Sequence, residues 1–230
     1  MKISICIPTW EQYGLGDKFI SHLFETLKNQ TFKNFDVIIS DQSLDKTIYD
    51  VVKIYDNDFS IKYFLNPNHR GNSPANTNNA IRNANGDIVK IIFQDDFFYD
   101  NSALELINQS FETDKCNWLV MGSNHITNQN DSFFNPMIPK WNDRILFGLN
   151  TISSPSVLAF SNHQELFFDE NLTMLMDCEY YYQLFLKFGE PKILSNCLIT
   201  NRIHNYQISK MYNKKLDEEI EYIKTKYKII

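Results

Sequence analysis

Within its first 114 residues the chain passes four times from a short apolar run to an apolar repeat of helical period, and few folds accept that alternation. Residues 3–7 (Ile-Ser-Ile-Cys-Ile) form a run closed by Pro8, which has no N–H for a sheet ladder. Phe19, Ile20, Leu23, Phe24 and Leu27 then recur at helical spacing, with Asp17 as their N-cap. Further strands are predicted at 36–40, 61–65 and 87–93. Helices are marked by Ile48, Val51, Val52 and Tyr55, by Ser73-Pro74, and by Leu104, Ile107 and Phe111. Ser73 reads as the cap of the third helix, Pro74 as its first turn and Gly86 as its left-handed end. The pattern predicts an α/β fold: a mostly parallel central sheet flanked by helices, because parallel neighbours need helix-sized crossovers.

After residue 114 the rhythm breaks. Strands are expected at 117–127, 156–161 and 192–200, with a loop-rich stretch holding Pro136, Pro139 and Trp141. Tyr181, Leu184, Phe185 and Phe188 mark a helix that opens near Asp177 and stops at Gly189. Leu216, Ile220, Ile223 and Tyr227 share one face of a C-terminal helix from Lys214 to Tyr227. Its polar face mixes Asp217, Glu218, Glu219 and Glu221 with Lys224, Lys226 and Lys228, which suits packing on the domain rather than on a membrane. With no internal repeat and no low-complexity linker, residues 1–230 read as one domain, divided at 1–114, 115–210 and 211–230.

Charge narrows the partners. The chain carries 22 basic and 28 acidic residues, a net of −6, which argues against nucleic-acid binding. Cys6, Cys116, Cys178 and Cys197 lie far apart without metal-ligand pairing, so reduced thiols in a cytoplasmic protein are expected. The N-terminal apolar run is too short for a signal peptide, and no stretch reaches the ~20 apolar residues of a spanning helix.

In open parallel sheets, ligands bind beyond the carboxyl ends of the strands. Four segments there are polar: Pro8 to Glu11, Asp41-Gln42-Ser43, Asn66 to Arg70, and Asp95-Asp96. Each taken singly is ordinary solvated loop, but four on one edge favour a site. No G-x-G-x-x-G or Walker loop is present, so a phosphate needs a cation. Asp95 and Asp96 are hard oxygen ligands suited to Mg²⁺ or Mn²⁺ against a diphosphate.

Five segments also carry a resemblance. "ISICIPTW", "DVIISDQSLDKT", "NHRGNSPANTNNAIRNANGDIVKIIFQDD", "FFDENLTMLMDCEYYYQLFLKFG" and "RIHNYQIS" resemble, in order and spacing over residues 3–209, family 2 glycosyltransferases of the GT-A fold. The resemblance implies a GT-A type, Rossmann-like sandwich with the nucleotide sugar bound by residues 1–114 and the acceptor by 115–210. It implies an inverting transfer from a nucleotide-diphospho-sugar, most simply UDP-linked, to a carbohydrate or other hydroxyl acceptor. By the same resemblance Pro8, Thr9 and Glu11 lie against base and ribose, and Asp41 accepts from the uracil ring nitrogen. Arg70 lies near base or phosphate, Asp95 binds metal, Asp177 is the general base, and His204 approaches metal or diphosphate. The sequence departs from the family where Phe93 replaces the first acid of D-x-D, leaving Asp96 to share the metal, and where Met176 replaces the glutamate before Asp177, with Glu179 two residues on.

His204 taken alone is a surface or core histidine, and His22, His69, His125 and His163 are read as structural or surface residues. Two other classes stay open on sequence alone: a nucleotidyltransferase, for which residues 8–17 offer only Lys18 nearby as a triphosphate-binding cation, and a non-catalytic nucleotide-sugar or carbohydrate-binding module.

Overall fold

Seven consecutive buried residues, Ile3–Thr9, make β1, the strand around which the sheet grows. Continuous burial is what a strand covered on both faces requires. The computed structural model describes residues 1–127, 132–205, 207 and 215–229. Strands β2 (Phe35–Asp41) and β4 (Ile88–Ile91) flank β1 in parallel, and β3 (Ile61–Leu65) adds to β2, giving the order β3-β2-β1-β4. The connections are α1 (Gly16–Lys28), α2 (Thr47–Tyr55) and α3 (Ser73–Arg82). The chain first builds outward from β1 to β3 and then returns to its other side at β4.

The second half continues the same sheet. It supplies β5 (Phe97–Phe98), α4 (Ala103–Thr113), β6 (Trp118–Ile126), β7 (Phe134–Met137), β8 (Leu158–Ser161), α5 (Met176–Phe188), β9 (Lys192–Arg202) and α6 (Leu216–Tyr227). β8 runs antiparallel to β4 and to β6, β9 parallel to β6, and β5 antiparallel to β9. Parallel registers cover most of the paired residues, as the alternation predicts. No helix among the described residues is long and apolar enough to cross a membrane.

Local details differ from the sequence reading for identifiable reasons. Asp17 lies in the first turn of α1, and the cap position is Leu15, with no side-chain cap bond. The cap of α3 is Asn72, whose Oδ1 accepts from Ala75 N at 2.9 Å, and Ser73 is the first helical residue. Gly86 lies beyond the end of α3 at Arg82; a Cβ there would stand 2.7 Å from Ser4 N and 2.8 Å from Lys2 O. Close approach to β1, not a left-handed turn, requires the glycine. β5 and β7 are too short and too irregular in pattern to be read from sequence, and β7 carries Pro136 on a strand that, among the described residues, pairs with β6 alone. The C-terminal helix starts at Leu216; Lys214, where the sequence reading begins it, lies outside the described residues.

A buried lysine stands among the core residues. Lys90, central in β4, is fully buried, and its Nζ donates to Ile91 O at 2.8 Å and to Ser156 O. Burial holds its pKa well below the ordinary lysine value. The side chain thereby ties β4 to the segment that enters β8.

Candidate active site

The reversal of strand order falls between β1 and β4, and a topological switch point of this kind opens a crevice beyond the strand ends. Gln94 bridges it. Its Oε1 accepts from Trp10 N at 2.9 Å and its Nε2 donates to Trp10 O at 3.0 Å, so a side-chain amide extends the ladder where the backbones diverge. Gln94 Nε2 also donates to Gln12 Oε1, and Gln12 Nε2 lies 3.3 Å from His204 Nε2. Gln12 and Tyr13 hold this course at φ 43° and 54°, a left-handed conformation that costs about 1–3 kcal/mol per non-glycine residue. The following Gly16 is needed because a Cβ would stand 2.5 Å from Trp10 O.

A cavity of about 420 Å³ opens here, lined among others by Trp10, Gln42, Arg70, Asp95, Met174 and Asp177. Its acidic end holds Asp95, whose Oδ2 lies 2.8 Å from His204 Nε2. His204 therefore comes to Asp95 across 109 residues of chain. Asp96 has a different role. Its Oδ1 accepts from Arg202 N at 2.9 Å and its Oδ2 stands 3.4 Å from Ser154 Oγ, so it latches the end of β9. Burial, then the charge of Asp95, push its pKa up. Among the described residues no three His, Cys, Asp or Glu side chains converge as a metal-binding group. The expected trio thus reduces to the Asp95–His204 pair. A carboxylate and an imidazole at this separation fit one divalent ion, provided diphosphate oxygens complete its shell.

Asp177 enters the same cavity from the first turn of α5. Leu175 holds the cap position, so Asp177 is not the helix cap. Its Oδ1 accepts from Cys178 N and its Oδ2 from Asn150 Nδ2, each at 2.7 Å. Burial pushes its pKa up to about 6, against the downward pull of those two donors. Asn150 is itself locked: its Oδ1 accepts from Ile152 N and Ser153 N, and its Nδ2 also donates to Ser153 O. Glu179 turns away from the cavity to Gln183, Lys226 and Tyr227.

At the opposite rim Arg70 pairs with Glu11 through both guanidinium nitrogens and stands over the Trp10 ring, 6.0 Å from its centre. The hydrogen bond to Arg70 holds the Glu11 carboxyl below its usual range. Pro8 lines the cavity, whereas Thr9 is fully buried behind it. Asp41 corrects the sequence reading. It is fully buried and away from the cavity wall: its Oδ1 accepts from Thr9 Oγ1 (3.1 Å), Ser43 N (3.0 Å) and Ser43 Oγ (2.6 Å), and its Oδ2 from Tyr63 OH (2.5 Å). Gln42, its neighbour, reaches the cavity instead.

The structure thus brings Arg70, Asp95, Asp96 and Asp177 to the wall of one cavity, with Glu11 paired to Arg70 and His204 to Asp95 at its edge, and sets Asp41 behind it. Gln12, Gln94 and Asn150 had no signal in the sequence, since an amide's role depends on partners distant in the chain. Of the family's closing segment, Tyr206, Ile208 and Ser209 lie outside the described residues.

A Rossmann-like half-sheet, acids beyond its strand ends and a second half that closes the cavity define the GT-A glycosyltransferase fold. The chain belongs to glycosyl transferase family 2, whose model matches residues 4–174. It is 32% identical over 112 residues to the GalNAc(5)-diNAcBac-PP-undecaprenol beta-1,3-glucosyltransferase of Campylobacter jejuni, covering 48% of this chain and 35% of that protein. It is 25% identical over 219 residues to an uncharacterized glycosyltransferase of Rickettsia bellii, covering 90% and 31%. The chain thus spans about a third of the length of these curated relatives. Among solved structures it resembles S. aureus TarS in complex with UDP-GlcNAc (TM-score 0.78, 21% identity, 98% of this chain and 66% of that one). It also resembles the mannosyltransferase PcManGT of Pyrobaculum calidifontis in complex with GDP-Man and Mn²⁺ (TM-score 0.64, 13% identity, 89% and 57%). At these identities the likeness is one of fold.

Proposed function

We propose that the chain transfers a sugar from a UDP-linked donor to a hydroxyl acceptor in one inverting displacement, with Asp177 as general base. The observation that carries this is a single cavity lined both by Asp95, which is paired with His204, and by the half-buried carboxylate of Asp177. A pKa of about 6 leaves Asp177 ionised at neutral pH yet more basic than an ordinary carboxylate, which suits removal of a proton from a sugar hydroxyl. Asp95 and His204 would hold Mn²⁺ or Mg²⁺, and the ion, when bound, neutralises charge on the leaving diphosphate. Pro8 and Glu11 flank the nucleotide, Arg70 faces its base or phosphate, and Asp41 with Thr9 fixes the loop that presents Gln42. The choice of UDP rests on the TarS likeness, the higher in TM-score and coverage of the two. One domain, with donor half 1–114 and acceptor half 115–210, carries the reaction, and four free thiols suit a cytoplasmic setting.

The test is UDP release and product formation from UDP-sugars with Mn²⁺ and a panel of hydroxyl acceptors. Asp177→Asn should lower transfer by at least ~10²-fold while UDP binding in calorimetry stays intact. Asp95→Ala should abolish the Mn²⁺-dependent part of that binding. An active Asp177→Asn variant, or a product that keeps the donor's anomeric configuration, overturns the reading.

A further inference from the structure

Glu219 stands on α6, beyond residue 174 where the family model ends. The sequence pattern placed it on the polar face of the helix, and it is only 6% exposed. Its carboxylate accepts three successive backbone N–H groups: Thr173 N at 2.8 Å on Oε1, and Met174 N and Leu175 N at 2.9 Å on Oε2. Those groups precede α5, where the backbone has no helical carbonyl to bond. Hydrogen bonds to a charged acceptor are roughly twice as strong as neutral ones, and three N–H groups in a row form an anion-binding nest.

The gathered turn is part of the cavity wall: Thr173, Met174, Met176 and Asp177 all line it. The first helical bond of α5, Glu179 N to Leu175 O at 2.9 Å, starts from the last residue that Glu219 holds. The apolar side of α6 closes on the same place. Ile223 is fully buried, and Leu216 and Leu175 converge over Gly148, 3.7 and 3.5 Å from where a Cβ would stand. Gly148 is two residues from Asn150, the other partner of Asp177. α6 therefore braces both segments that hold the proposed base.

We propose that Glu219 is a positioning residue for the transfer step: by collecting the N–H groups of residues 173–175 it fixes the turn from which Asp177 reaches the acceptor hydroxyl. The inference rests on the reading of Asp177 as base. It separates kcat from donor binding, because the Asp95–His204 end and the Glu11–Arg70 rim do not depend on this turn.

The experiment measures kcat, donor KM and melting temperature for Glu219→Gln and Glu219→Asp. Glu221→Gln is the control, since Glu221 is exposed on the same helix and bonds Lys224. The amide presents an N–H to a backbone N–H, and the aspartate is one methylene too short to reach all three donors. A displacement of about 1 Å at a reacting group costs on the order of 10²-fold, so kcat should fall roughly 10- to 100-fold with donor KM unchanged. The Glu221→Gln control should match wild type. Unchanged kcat in folded Glu219 variants overturns the proposal. So does failure of both to fold, or a fall in melting temperature with wild-type kcat per folded molecule, because each assigns Glu219 a purely structural role. Transfer by Asp177→Asn would overturn the base reading instead, whatever the Glu219 series shows.

Discussion

At the scale of single residues, what matters is where each lone pair and proton goes. Asp177 has a folded pKa of about 6, raised by burial from an ordinary value of 3.8. A base must be deprotonated, so transfer should fall as pH drops through about 6. Stability runs the other way. A raised folded pKa means the native state binds more protons than the unfolded chain between the two values, so this residue's contribution falls as pH rises through that window. Asn150 Nδ2 stabilises the ionised form, and its removal in Asn150→Ala should move the acid limb of log kcat against pH upward. A limb that stays put or moves down would show that Asn150 does not tune the base. That Asp95, Asp177 and His204 meet at one cavity was legible in the order of the motifs; what they do there is the proposal above. The surroundings of Asp41 and Asp96 were not legible, because a sequence shows a carboxylate but not the donors around it. Asp41 is held by Thr9, Ser43 and Tyr63 away from the cavity wall, and Asp96, on that wall, is held by Arg202 N and Ser154.

At the scale of elements, the four strand–helix alternations were legible because buried parallel strands and amphipathic helices have distinct periods. The segment 150–157 had no period, yet it links the two ends of the cavity. Ser154 faces Asp96, Asn150 holds Asp177, and Asn201 Nδ2 donates to Ser153 Oγ at 2.9 Å. Ser153 sits at φ 109°, a region where only glycine is at ease. Tyr181 OH donates to Ser153 O at 3.1 Å and to Ser154 O at 2.9 Å, which pins the strained turn from α5. Comparing Ser153→Gly with Ser153→Ala isolates the strain, since both lose the hydroxyl and only glycine relaxes the backbone. The glycine variant should be the more stable by about 1 kcal/mol or more in chemical denaturation. Equal stability of the two would mean that the turn stores no strain.

At the scale of the whole molecule, a net charge of −6 counts the acids without placing them, and the structure puts several inside. Asp36, Asp41, Asp96, Glu179 and Glu219 are nearly or fully buried, each beside a donor. Two of them tie α6 to the rest. Glu219 holds the turn before α5, while fully buried Glu179 of α5 accepts from Lys226 Nζ at 2.7 Å, Tyr227 OH at 2.6 Å and Gln183 Nε2 at 2.7 Å. Lys226 also meets Asp169 at 2.6 Å, so one ammonium joins α6 both to α5 and to the segment before it. Removing one partner of a buried pair leaves an uncompensated charge, whereas removing both leaves two neutral groups. Lys226 is a third exposed, which discounts the usual 3–5 kcal/mol for a fully buried pair to about 2 kcal/mol. Lys226→Met should then lower the melting temperature by roughly 4–8 °C in a chain of this size. Adding Glu179→Gln to that variant should recover part of the loss, because the glutamine still accepts from Tyr227 and no longer needs a cation, while Asp169 still lacks its lysine. The two substitutions touch one network, so a double-mutant cycle should show coupling; strictly additive losses would mean that the pair does not bind α6 to α5. The family pattern ends before α6, and only the charges beyond it show why this chain needs the helix. They hold, from outside, the cavity wall that carries Asp177.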